Sequence, residues 1–252
     1  MNLEVFYVSY RRDLHWLAYS LQLLFKHLRG SYHVTVHLEE NCRDVVSEWR
    51  VPVHYIFEKR IWPDGYHWAM SRKALADTYV KGDPIMLLDS DHMLMEPAYV
   101  EDFIEDGFPT IRYRDWDEDP NDQSLVVGRA KWGPPTERVL GIPLDRDYMI
   151  GPPFVFLRDT FRGMRQRIEE ITGLPFADVV RSEVPFDYKR FLDHEMHFCD
   201  YEALGLYAAK FQPERYILKH HPRGTHWPFR VYWSWGDWSP GLQAKLDDLL
   251  AA

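Results

Sequence analysis

The hydrophobic pattern divides the first third of the chain into strands separated by a helix-forming run. Residues 3–9 place Leu3, Val5 and Tyr7 on one side and Phe6 and Val8 on the other, which suits a strand buried on both faces. Residues 13–28 set Leu14, Leu17, Ala18, Leu21, Leu24, Phe25 and Leu28 at helical spacing, with Asp13 as a candidate cap and Gly30 as a stop. Residues 32–38 and 53–57 read as second and third strands. A helix is predicted over residues 66–80, where Met70, Lys73, Ala74, Asp77 and Val80 recur on one side. It leads through Gly82-Asp83-Pro84 into the unbroken apolar run Ile85-Met86-Leu87-Leu88, the signature of an inner strand.

Beyond Pro97 the pattern changes. It predicts a short helix over 99–106, a strand over 110–113 and a solvated acidic loop over 115–123. A strand over 152–157 follows, then an amphipathic helix over 159–172, a helical stretch over 191–210 and a closing helix over 240–250. Helices alternating with strands predict an α/β fold with a mostly parallel central sheet and flanking helices.

Composition narrows this picture without changing it. The 252 residues are 46% hydrophobic and show no composition break or repeat, which suits a single domain. The start is strand-like rather than leader-like, and no apolar run approaches the roughly 18 residues of a membrane span, so a cytoplasmic protein with no membrane span is expected. Cys42 and Cys199 are too few for a disulfide framework and read as free thiols. The net charge of −9 weighs against a sequence-independent grip on nucleic acid, although a local basic groove would leave that partner open. Most of the ten tryptophans are expected to fill core volume.

The candidate chemistry sits where the apolar run 85–88 stops, because Asp89 and Asp91 follow at once. Open α/β sheets bind ligands at the carboxyl ends of their strands. Two carboxylates that close repel each other, and a divalent cation with hard oxygen ligands, Mg²⁺ or Mn²⁺, makes the pair tolerable. The tripeptide Asp-Ser-Asp also serves as an ordinary strand-closing turn.

Residues 6–12 as first strand and loop, Lys73 in the helix that precedes the motif, and Leu87-Leu88-Asp89-Ser90-Asp91 together resemble the GT-A class of glycosyltransferases. Gly65-Tyr66, Asp200-Tyr201-Glu202, Gly205 and Trp233-Ser234-Trp235-Gly236 more loosely resemble bacterial and phage polysaccharide glycosyltransferases. The resemblance implies one GT-A domain over 1–252, with a nucleotide-sugar-binding half over 1–97 and an acceptor-binding half with a closing loop over 98–252. It implies Mn²⁺ or Mg²⁺ on Asp91 and Asp89, with Asp89 alternatively meeting the ribose. Transfer would run from a nucleotide-diphosphate sugar to a hydroxyl of a saccharide or of modified phage DNA. Tyr10 is then expected at the base, Arg11 near a phosphate, Lys73 at a phosphate or in the base pocket, and Asp200, with Glu202 second, as the general base.

Two further clusters carry candidate ligands. In Lys219-His220-His221-Pro222-Arg223-Gly224-Thr225-His226, imidazoles suit a metal and Arg223 a phosphate. Some GT-A families carry a His-x-x-Gly-x-x-Lys-Pro-Trp run whose histidine completes the metal site. By that resemblance His221 is the first choice, ahead of His220 and His226, with Trp227 standing where the lysine would be. The second cluster, 193–202, holds His194 and His197 three apart and the alternative bases Asp193 and Glu195, and matches no zinc-protease spacing. Two other functions fit an aspartate pair after an apolar strand: a haloacid-dehalogenase-like phosphohydrolase and a non-catalytic nucleotide-sugar-binding protein.

Overall fold

The computed structural model of the chain describes residues 2–61, 65–118, 123–182, 198–232, 234 and 238–251. In chain order, the first half contributes β1 (Leu3–Ser9), α1 (Leu14–His27), β2 (Tyr32–Glu39), β3 (His54–Glu58), α2 (Gly65–Ala74), β4 (Ile85–Asp89), β5 (His92–Leu94) and β6 (Phe108–Asp115). The second half adds α3 (Gln123–Leu140), β7 (Phe154–Phe156), α4 (Arg158–Thr172), α5 (Asp200–Phe211), β8 (Ile217–His220), β9 (Phe229–Val231) and α6 (Pro240–Ala251).

A mixed α/β fold with several sheets results. The main sheet runs β7-β4-β1-β2-β3, parallel except for β7, which lies antiparallel on β4. Period-two alternation divides its side chains between two cores. Phe6, Val8, Ile85, Leu87, Phe154 and Phe156 face α2, α4 and α5, whereas Val5, Tyr7, Val36, Met86 and Leu88 face α1. The outer side of α1 is covered as well, since Trp16 and Leu23 meet Leu246 of α6. β2 and β4 flank β1, so chain direction across the sheet reverses there, and the crevice outside the carboxyl ends of β1 and β4 is a topological switch point.

Several expected elements change. The helix over 66–80 breaks at Leu75, whose φ of −104° and ψ of 9° leave the helical region; a single turn, Ala76–Tyr79, follows. Residues 99–106 do not form a helix. Ala98–Tyr99 pairs with Leu28–Arg29, Val100–Asp102 is a 3₁₀ turn, and Ile104–Glu105 pairs antiparallel with β6 through Asp106 and Gly107. Both turn residues have positive φ, 51° and 85°, as a two-residue hairpin requires. Of the helical stretch expected over 191–210, Asp200–Phe211 forms a helix, Phe198 and Cys199 precede it outside any helix, and 191–197 lie outside the described residues. Among the described residues no helix is long and apolar enough to cross a membrane. Cys42 and Cys199 are free and buried.

Gly205 explains how α5 is held. A methyl group there would stand 2.5 Å from Tyr148 Cβ, so the helix backbone lies directly on that side chain. Gly205→Ala is expected to destabilise the protein by about 1–3 kcal/mol despite the better helix propensity of alanine. An unchanged denaturant midpoint would contradict this packing.

The β2 to α2 contact predicts an acid limit to stability. His37 is fully buried against Trp68 and Tyr79, and burial, with Arg72 adding to it, pushes its pKa down to about 3. Glu58, 3.1 Å from His37 Nε2, is already held by Arg72 at 2.8 Å, so the imidazole stays neutral. The unfolded chain therefore binds the extra proton, and stability falls as pH drops from about 6.5 toward 3, by up to about 1.4 kcal/mol per pH unit. His37→Gln should flatten that slope in urea titrations.

Candidate active site at the carboxyl edge of the central sheet

A cavity of about 720 Å³ opens at the switch point. Its walls include Tyr10, Asp13, Lys73, Asp89, Asp91 and Asp200. That volume is in the range of small-molecule and cofactor sites. The end of β1 and the turn after β4 are tied together by a 2.7 Å hydrogen bond between Ser9 Oγ and Ser90 Oγ, so Asp89 and Asp91 stand on a braced edge.

Lys73 is the buried cation of the site. It projects from α2, which packs over β1, and its Nζ lies 3.0 Å from Asp89 Oδ1 and 3.2 Å from Asp200 Oδ2. The ammonium also sits 4.0 Å from the centroid of the Tyr201 ring, which stacks on Phe154. Burial works against its charge, but Asp200 and Asp89 outweigh that and raise the Lys73 pKa. Asp89 also sits against burial, yet Lys73 and His92 hold its carboxyl below the usual range.

Asp91 has the opposite balance. Burial, then the charge of Asp89, pushes its carboxyl up to about 7. One of its oxygens, Oδ2, accepts the Ser234 N–H at 2.7 Å, and its backbone carbonyl accepts the Tyr232 N–H at 2.9 Å. The register that brings this segment in is the antiparallel pairing of β9 with β5, Val231 beside His92.

Asp89, Asp91 and His92 place one ligand atom each within 4.8 Å of one another, a cluster able to hold a divalent metal ion. The donor set fits a hard cation: Asp13, Asp89, Asp91 and Asp200 line one cavity, and the ion pairs of Lys73 go to Asp89 and Asp200. His92 has a different part in it. Its Nδ1 accepts the Asp89 N–H at 3.0 Å, which leaves the proton of the neutral ring on Nε2, 3.7 Å from Asp89 Oδ2 and 3.9 Å from Asp91 Oδ1. Burial lowers its pKa to about 4, so the ring beside the two carboxylates is neutral.

The expected residues divide into those the cavity gathers and those it does not. Tyr10, Arg11, Lys73, Asp89, Asp91 and Asp200 line it. Arg11 is exposed and paired with Asp44. Glu202 does not line the cavity. Its Oε2 accepts the Tyr148 N–H at 2.9 Å, and burial, then Asp147, raises its pKa well above the usual value. His221 and Arg223 are also absent from the walls. The His221 ring packs on Trp227 at 5.4 Å, its backbone N–H donates to the Tyr113 carbonyl, and burial, then Arg112, lowers its pKa to about 4. His220 pairs with Glu118 and His226 with Glu96, both at 2.9 Å. The residues that lie over Asp91 are Val231, Tyr232 and Ser234, beyond the histidine loop. Asp193, His194, Glu195, His197, Trp233, Trp235 and Gly236 lie outside the described residues.

Asp13 belongs to the site although its position before an amphipathic helix suggested a cap. It makes no capping hydrogen bond, is buried, and lines the cavity with its pKa raised by burial.

No family model and no curated protein sequence matches the chain. Among solved structures it is similar to the apo form of the glycosyltransferase GlyE of Streptococcus pneumoniae TIGR4, at 10% identity and a TM-score of 0.42, over 87% of this chain and 45% of that one. The chain thus spans less than half the length of that protein.

Proposed function

We propose that the chain is a metal-dependent glycosyltransferase with a GT-A domain, moving a sugar from a nucleotide-diphosphate sugar to an acceptor hydroxyl. The observation that carries the reading is the pair Asp89 and Asp91 at the carboxyl end of β4, walled into one cavity with Lys73 and Asp200. Asp89 and Asp91 would hold Mn²⁺ or Mg²⁺, which when bound neutralises the diphosphate as it departs. Lys73 keeps Asp89 ionised and fixed in place. Asp200 is the carboxylate that accepts the proton of the acceptor hydroxyl, a base which burial makes more basic than a surface aspartate. The nucleotide half is residues 1–97, and the acceptor half 98–252, closing over the site through Val231, Tyr232 and Ser234.

A thermal-shift screen of nucleotide sugars with and without Mn²⁺ tests this. Stabilisation is expected only with both present, about 2.7 kcal/mol at a hundredfold the dissociation constant, together with slow release of free sugar from the donor. Release of phosphate from simple phosphomonoesters would instead identify a phosphohydrolase. Binding of the donor with neither hydrolysis nor transfer would identify a binding protein.

A further inference from the structure

Arg112, on β6, is a buried cation that no carboxylate answers. It is only 8% exposed and makes no ion pair among the described residues. Its guanidinium stacks on the Trp227 ring at 3.6 Å, and Nη2 donates to the carbonyls of Gly151 and Pro152, both at 2.7 Å. The donors on Nε and Nη1 meet no acceptor among the described residues, yet neither nitrogen is fully enclosed. Period-two alternation puts Arg114 on the same face of β6, and the His221 ring packs on the same Trp227. Acids close by are already engaged: Asp147 with Arg114, Glu118 with His220 and Glu105 with Lys219. A guanidinium this deep without a counter-charge is costly, and burial pushes the Arg112 pKa down to about 9. Burial, then Arg112 and Arg114, keeps His221 neutral, so the three side chains share one electropositive region. None of them lines the cavity of the aspartate pair.

We infer that Arg112, with Arg114 and His221, forms an oxyanion site separate from that cavity, and that the group it takes is a phosphate carried by the acceptor. The assignment to the acceptor rests on the glycosyltransferase reading, which gives residues 98–252 to that substrate; the oxyanion site does not. A guanidinium only donates, and an anionic acceptor makes its hydrogen bonds about twice as strong as neutral ones. Phosphate suits this place better than a carboxylate. It brings nearly two negative charges and three acceptor oxygens, enough to meet both guanidinia and the imidazole at once, where a carboxylate brings one charge and two oxygens.

Calorimetric titration of the full chain with inorganic phosphate, in EDTA and without donor, tests the site. Binding is expected in the unmodified protein and equally in the Asp89→Asn/Asp91→Asn double variant. Arg112→Met should weaken it at least about tenfold, and His221→Ala, at a half-buried position that guards against a folding defect in the first variant, should weaken it in the same direction. Methyl phosphate and dimethyl phosphate, titrated alongside, distinguish a terminal phosphate from one within a polymer. Absence of phosphate binding, affinity unchanged in the folded variants, or binding lost in the double Asn variant overturns the site. Binding of the free ion with neither ester bound overturns the assignment to the acceptor. The glycosyltransferase reading stands or falls separately, on release of sugar from the donor.

Discussion

Asp89→Asn and Asp91→Asn are each expected to reduce sugar transfer by about 10³-fold or more while leaving the protein folded, because a diphosphate and two carboxylates share this edge only with a cation between them. The two variants should differ in stability. Asp91 is the aspartate whose charge the fold disfavours, since burial and the neighbouring Asp89 push its carboxyl up to about 7. Neutralising it therefore stabilises the metal-free protein at neutral and higher pH. Asp89 is paired with Lys73 at 3.0 Å, and neutralising it weakens that pair. Mn²⁺ together with the donor should raise the melting temperature of the unmodified protein and not that of the double variant. Full transfer by the double Asn variant in EDTA would sink the metal-dependent reading.

Asp200→Asn is expected to leave donor and Mn²⁺ binding near normal and to lower transfer by about 10²–10⁴-fold, the range a positioned general base supplies. The side chain lies on the cavity wall, 1% exposed, 3.2 Å from the Lys73 ammonium. Removing its charge leaves Lys73 still paired with Asp89. The readout is therefore the split between binding, measured by calorimetry, and transfer, measured by product. Near-normal transfer would remove the base assignment from Asp200. It would not pass it to Glu202, whose carboxylate is occupied by the Tyr148 N–H and by Asp147.

That division between Asp200 and Glu202 was implicit in helical geometry. Residues two apart on a helix project from nearly opposite sides, and α5 begins at Asp200, so one of the two faces the cavity and the other the interior. The turn that replaces the expected helix over 99–106 was also legible, as Asp-Gly between residues that pair as strands. The helix α3 was not. Gly128, Gly133, Pro134 and Pro135 speak against a helix, and α3 forms because tertiary contacts outweigh propensity: Val139 and Leu140 are buried, and the Thr136 hydroxyl receives the Cys199 N–H at 3.2 Å.

By itself the sequence determined the inner strands, the amphipathic helices and the delivery of two aspartates to a strand end, because burial on both faces and 3.6-residue periodicity are local properties of the chain. Which distant side chains meet those aspartates is not local. Lys73 reaches Asp89 and Asp200 because α2 and α5 pack on the same face of the sheet, and Asp13 and Glu39 join the cavity because β1 and β2 end at one edge. Val231, Tyr232 and Ser234, and not the histidine loop before them, lie over Asp91 because β9 pairs with β5 in a register that seats Val231 beside His92. Strand order and register decide such encounters, and a one-residue slip would turn every one of those side chains to the other face.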